Sequence, residues 1–219
     1  MNTMKLIVFD WDGTLVDSEQ RIVTAMRDAI RDAGLPALPT NTLKNVIGLG
    51  LGIAIETLLP DYGHDEHQAV ADAYRHHFLA ADQRAVSFPD AGDVLRALTE
   101  REYLLAVATG KSRHGLDRDL EETGFKTLFH ATRCADETHS KPNPQMLFDV
   151  MDRLGVEAGE TLMIGDTEYD LQMASNAGAA SVGVSYGVHE PERLLGHNPL
   201  IILDRLGDLI PFLDRSAQS

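Results

Sequence analysis

Cysteine is nearly absent, with Cys134 alone among 219 residues. One thiol can close no internal disulfide and builds neither a thiol-based metal knuckle nor a redox pair, so a reducing compartment is expected. Basic side chains are also scarce: 19 Lys and Arg face 34 Asp and Glu, for a net charge of -15. That sign is wrong for gripping nucleic acid or an anionic membrane, and neither is expected as a partner. Long apolar runs are missing as well. No stretch approaches a membrane span, and the run Leu6 to Phe9 behind Lys5 is too short for a signal-peptide core, so a cytoplasmic location is expected. Repeats and low-complexity tracts are absent too. What remains is an ordinary globular composition, 43% hydrophobic and 24% charged, in a chain long enough for a core without metal or disulfide staples.

Short apolar runs that stop abruptly at polar or glycine residues recur along the chain, at 4–9, 104–108, 161–164, 181–184 and 200–203. Such runs read as strands buried on both faces. Helical patterns lie between them at 91–101, 112–123, 144–154 and 168–177. Strand and helix in alternation predict an α/β fold with a parallel sheet, and ligands of such sheets sit at the carboxyl ends of the strands. Residues 17–83 break the alternation. They show helical periodicity without a convincing strand, with a turn from Ala33 to Thr40 and a flexible point from Gly48 to Gly52. The reading is a helical insert at 17–83 in a core made of 1–16 and 84–219.

Four segments carry chemistry, three at predicted strand ends and one at the start of a predicted helix. In Asp10-Trp11-Asp12-Gly13-Thr14, the extended backbone lets Asp10 and Asp12 share one face while Trp11 points away. Carboxylates this close repel unless a cation or a proton is held with them. Thr109-Gly110-Lys111 offers a hydroxyl and backbone N–H groups near a helix start, suited to phosphate oxygens. A nucleotide P-loop is rejected here, because that motif needs glycine where Leu105 stands. In Ser140-Lys141-Pro142-Asn143-Pro144 the two prolines stiffen the backbone that aims Lys141. Gly165-Asp166 follows another run, with Asp170 inside the next helix, where a carboxylate also complements the helix dipole.

Taken together, these segments resemble the haloacid dehalogenase-like hydrolase superfamily in order, separation and placement across essentially the whole chain. The resemblance implies a Rossmann-like parallel sheet core with an inserted helical type-1 cap over residues 17–83. It also implies roles: Asp10 as nucleophile, Asp12 as general acid/base, and Thr109, Gly110 and Lys141 as phosphate-binding groups. Asp10, Asp166 and the backbone carbonyl of Asp12 would hold Mg2+, with Asp170 in support.

An aspartate at position 12 points to phosphate monoester hydrolysis or phosphoryl transfer, since a halide leaving group needs no proton. The strings Asp-Gly-Thr-Leu-Val-Asp-Ser and Ser-Lys-Pro-Asn-Pro most resemble the phosphoglycolate phosphatase-like subfamily, whose substrates are small phosphorylated metabolites. Gly110 departs from the Asn that many of those phosphatases carry, and the Gly48–Gly52 segment offers no basic residue for a substrate carboxylate. Asp12 would have to start neutral, and crowding among the carboxylates is expected to raise its pKa. Counting charge, the four aspartates and a phosphate dianion face Lys141 as the only assured cation, which calls for magnesium. Two other readings stay open: a phosphomutase of the β-phosphoglucomutase type, and a non-catalytic phosphate-binding regulatory module. His64-Asp65-Glu66-His67 lacks the HExxH spacing and reads as solvated surface, and monomer and homodimer are equally compatible.

Overall fold

The structure is a computed structural model, and it describes residues 4–80 and 84–216. Six strands form one sheet: β1 (Leu6–Phe9), β2 (Leu104–Thr109), β3 (Ala131–Cys134), β4 (Thr161–Gly165), β5 (Ala180–Val184) and β6 (Ile202–Leu203). Their spatial order is β3-β2-β1-β4-β5-β6 and every pairing is parallel. β1 therefore lies inside the sheet, bonded to a strand on each side. All four of its residues are buried, as its unbroken apolar run requires.

Alternation along the strands divides the core in two. Ile7, Phe9, Leu105, Val107, Leu162 and Ile164 face one side of the sheet. There they meet Leu95 and Leu98 of α5 (Ala91–Glu100), Leu116 and Leu120 of α6 (Arg113–Thr123), and Leu209 of α10 (Leu209–Ser216). Leu6, Val8, Ala106, Ala108 and Met163 face the other side. They meet Met146, Leu147 and Val150 of α7 (Gln145–Leu154) and Met173 and Ala174 of α8 (Glu168–Ala177). A short helix, α9 (Pro191–Leu195), precedes β6. Trp11 points away from Asp10 and Asp12 as expected, into the first cluster, with its ring edge-on to Phe125 and Phe129 at 6.5 and 6.2 Å.

Two strand readings need correction. β3 was not expected, because Ala-Thr-Arg-Cys has no continuous apolar run. It is an edge strand paired only with β2, and its middle residues Thr132 and Arg133 stay half-exposed. Cys134 ends it fully buried, and burial pushes the thiol up to about 12, so it is no nucleophile at neutral pH. The last strand is only Ile202–Leu203, shorter than 200–203, with Leu200 largely exposed.

Between β1 and α5 the chain forms four helices: α1 (Glu19–Asp32), α2 (Thr40–Lys44), α3 (Leu51–Leu58) and α4 (His64–Ala80). Val23, Met26, Ile30, Leu43, Ile55 and Val70 build a separate apolar cluster from all four. Residues 81–83 of the predicted insert lie outside the described residues. The Gly48–Gly52 segment is not a loop throughout, since α3 starts at Leu51.

Ile7 is wholly buried in β1 between two neighbouring strands. Ile7→Ala is expected to lower unfolding free energy by about 2–5 kcal/mol, whereas Leu200→Ala should stay within about 1 kcal/mol. Urea unfolding of both variants checks this, and equal midpoints would contradict the central placement of β1.

Candidate active site

Parallel register brings the chemistry together. Phe9 is level with Val107 of β2 and Ile164 of β4, so the residues that follow each of these strands emerge side by side at one edge of the sheet. Asp10, Thr109 and Asp166 all arrive there, each no more than 1% exposed. Lys141, on the stiff segment before α7, enters the same place and is also buried.

Lys141 Nζ stands 2.7 Å from Asp10 Oδ1 and 2.6 Å from Asp170 Oδ1. Asp170 Oδ2 accepts from the backbone N–H and the hydroxyl of Thr167, at 3.1 and 2.7 Å. Asp170 thus caps α8, as the helix-dipole reading expects, and anchors the lysine at once. Asp166 accepts from Thr14 Oγ1 at 2.9 Å and from the Val188 N–H at 2.8 Å. Gly13 makes room for this: its φ of +85° suits glycine, and a β-carbon there would collide with the Asp166 carboxylate.

One oxygen from each of Asp10, Asp166 and Asp170 lies within 4.8 Å of the others. Three buried carboxylates around one ammonium are under-neutralised. Burial, with Asp170 and Asp166 adding repulsion, holds the Asp10 carboxyl well above the ordinary range despite Lys141. Burial and Asp170 likewise raise Asp166 to about 7, against the opposing Val188 and Thr14 hydrogen bonds. Lys141 is disfavoured as an ion by burial, yet Asp10 and Asp170 together hold its pKa above the usual value. Asp10 Oδ2 is buried with no hydrogen-bond partner among the described residues. An oxygen donor set of this charge, with one acceptor left over, fits a hard divalent cation.

Asp12 is different. Its carboxylate is not part of that cluster: Oδ1 accepts from Ser18 Oγ at 2.6 Å and pairs with Lys111 Nζ at 3.0 Å. Lys111 reaches on to Asp119 Oδ2 at 3.3 Å, and Trp11 Nε1 donates to that same oxygen at 3.2 Å. The crowding expected at Asp12 therefore falls on Asp10 and Asp166, and Lys141 is not the only cation near the site. Ser18, Lys111 and Asp119 were missed by sequence reasoning. Lys111 sat in plain view beside Thr109, and Ser18 follows closely on the first motif, but Asp119 gives no local signal because only tertiary packing brings α6 under Trp11.

The Thr109–Lys111 turn meets the insert. Gly50 N–H donates to Ser140 Oγ at 2.8 Å, Tyr169 Oη donates to the Asn45 carbonyl at 2.7 Å, and Arg193 Nη1 donates to Asn45 Oδ1 at 2.7 Å. A β-carbon on Gly110 would stand 2.5 Å from the Gly48 carbonyl oxygen and 2.6 Å from that of Leu49. The departure at position 110 thus has a steric reason: only glycine lets the 48–50 backbone lie this close.

A sheet with these four strand-end segments and an inserted helical bundle defines a hydrolase class, and residues 7–184 match the family described as haloacid dehalogenase-like hydrolase. The chain belongs to that family. Among relatives, it is 36% identical over 211 residues to the probable phosphatase IndB of Dickeya dadantii, covering 94% of this chain and 91% of that protein. It is 29% identical over 223 residues to a phosphoglycolate phosphatase of Vibrio parahaemolyticus, covering 98% of each. A crystal structure described as a predicted phosphoglycolate phosphatase from Haemophilus somnus superposes with a TM-score of 0.87 at 25% identity, over 97% of this chain and 99% of that one. The β-phosphoglucomutase-like fold of a Bacteroides vulgatus protein is also close, at a TM-score of 0.83, 22% identity and coverage of 94% and 86%. No helix among the described residues is long and apolar enough to cross a membrane.

Two outcomes are expected. A carboxyl with a raised folded-state pKa keeps its proton when the unfolded chain has lost it, so Asp166 stabilises the metal-free fold at low pH and that contribution fades from about pH 4 to about 7. Thermal melts without divalent metal should show Tm falling from pH 5 to 7.5, a shallower slope in Asp166→Asn, and recovery on adding magnesium at pH 7.5. A slope unchanged in the variant would refute the assignment. Gly110→Ala should leave the core folded but speed hydrogen exchange at the Leu49 and Gly50 amides about tenfold, equivalent to about 1.4 kcal/mol. Unchanged exchange there would mean that the contact is not rigid.

Proposed function

We propose that this hydrolase is a magnesium-dependent phosphatase of small phosphate monoesters and works through an aspartyl-phosphate on Asp10. The observation that carries the proposal is Asp10 itself: a buried carboxylate at a strand end, paired with Lys141, with one oxygen unpartnered beside a turn rich in phosphate-binding groups. Family membership and the phosphatase names of its relatives support the phosphoric monoester class.

Asp10 attacks phosphorus, so that an Asp10 oxygen–phosphorus bond forms while the ester oxygen–phosphorus bond breaks. Asp12 supplies a proton to the departing alkoxide and later takes one from the water that releases inorganic phosphate. Ser18 and Lys111 fix the Asp12 carboxylate for this exchange by holding Oδ1 from two sides. The Thr109 hydroxyl, the Gly110 N–H and the Lys141 ammonium bind the phosphoryl oxygens. Asp10 and Asp166, with the Asp12 carbonyl, would hold a magnesium ion, which would supply positive charge against Asp10 and the phosphate. The helices α1–α4 act as the cap, with the 48–49 backbone lying against Gly110.

Phosphate release from phosphoglycolate, sugar phosphates, nucleotides and pyrophosphate, with and without magnesium, tests this. Asp10→Asn is expected to lose about 10⁴-fold or more in kcat, and Asp12→Asn about 10²- to 10⁴-fold. Substantial turnover by Asp10→Asn would remove it as nucleophile. Transfer to a sugar acceptor with no free phosphate would favour the mutase reading.

A further inference from the structure

Beyond the phosphoryl group the site opens into a cavity of about 700 Å³ between core and insert. Its floor is Asp10, Asp12 and Thr109, while its far wall is apolar: Ile22 and Met26 from α1, Leu43 and Ile47 from or beside α2, and Ile53 from α3. Phe78 and Tyr74 of α4 line it too, their rings stacked with centroids 5.6 Å apart. Ile53 and Leu79 leave large apolar surface exposed at the mouth, 45% and 47% of each residue. An exposed apolar rim continuous with an apolar wall marks a surface kept for an apolar guest.

Among the described residues, the basic side chains on the cavity are Lys111 and Arg75, with His114 and His139. Lys111 is spent on Asp12 and Asp119. Arg21 lies over the Phe78 ring at 4.0 Å and donates to the Phe78 carbonyl at 2.8 Å, while Arg75 pairs with Asp72. Glu56 and Asp136 line the same cavity and add negative charge beside His114 and His139. A carboxylate bound here would give up its water for few uncommitted cations, which disfavours it. A two-carbon ester would also leave most of the cavity unfilled, since about 300–1,000 Å³ is the usual range for drug-sized ligands.

We infer that the site is built for a phosphate monoester whose alcohol is uncharged and carries an apolar body large enough to rest on the α1–α4 wall, and that phosphoglycolate is a poor ligand. This rests on the phosphatase reading for which end of the substrate faces Asp10. The specificity comes from the insert's apolar side chains, with Lys111 committed to Asp12 and Asp119.

Binding to the inactive Asp10→Asn protein tests the inference without turnover. Calorimetry with magnesium present should show 2-phenylethyl phosphate binding at least about tenfold tighter than phosphoglycolate, as burial of about 55 Å² of apolar surface or more would give. Equal affinities, or tighter phosphoglycolate, would overturn the inference. Ile53→Asn, at an exposed position on α3, should lower that ratio about threefold or more without adding charge, and an unaltered ratio would place the apolar body elsewhere and refute the wall. Phosphate release by the unmodified protein separates the two claims. Tight binding of the bulky ester with no hydrolysis of any ester would sink the phosphatase reading and leave the chamber's preference standing. Efficient phosphoglycolate hydrolysis with weak binding of the bulky ester would do the reverse.

Discussion

Asp10, Asp166 and Asp170 share one buried space with the ammonium of Lys141, and the rest of the molecule is arranged around keeping that imbalance in place. Four ionisable groups out of water are held only because each has compensation. Asp170 is satisfied by Thr167 and Lys141, and Asp166 by Thr14 and the Val188 amide. Asp10 is the exception, with Oδ2 left without a partner among the described residues. These contacts come from the segments after β1, β4 and β5, from the loop before α7 and from α8, so the site depends on parallel strands that end level with one another.

A second, separate charge network runs beneath the first. Alternation along Asp10-Trp11-Asp12 sends Trp11 to the sheet's core face, where its indole N–H meets Asp119. That carboxylate and Asp12 hold Lys111 between them. The two aspartates of one short motif therefore live in different electrostatic surroundings: Asp10 among carboxylates, Asp12 between a hydroxyl and an ammonium.

The insert contributes shape where the core contributes charge. Its backbone approaches Gly110 closely, and its apolar residues face the reacting groups across the cavity. Charged groups and apolar side chains thus line one cavity from two different parts of the chain.

Much was legible in the sequence. Mostly apolar runs ending at Asp10, Thr109 and Gly165 marked strands buried on both faces, because such strands admit few polar residues before they leave the sheet. The motif residues themselves stood out as titratable or hydroxylic groups at those ends. β3 was not legible, since an edge strand with one open side needs no apolar run, and Asp119 was not, since nothing near it in sequence hints at Trp11. The sequence by itself determined the sheet's central strands, the helical insert and the set of candidate groups, because burial on two faces and helical periodicity are local patterns. Only the tertiary structure decided that Asp12 pairs with Lys111 rather than with the other carboxylates, that glycine at position 110 lets the 48–49 backbone approach, and that apolar side chains of α1–α4 line one cavity with Asp10. Each of those depends on atoms from distant segments meeting within a few ångströms, which local pattern does not encode.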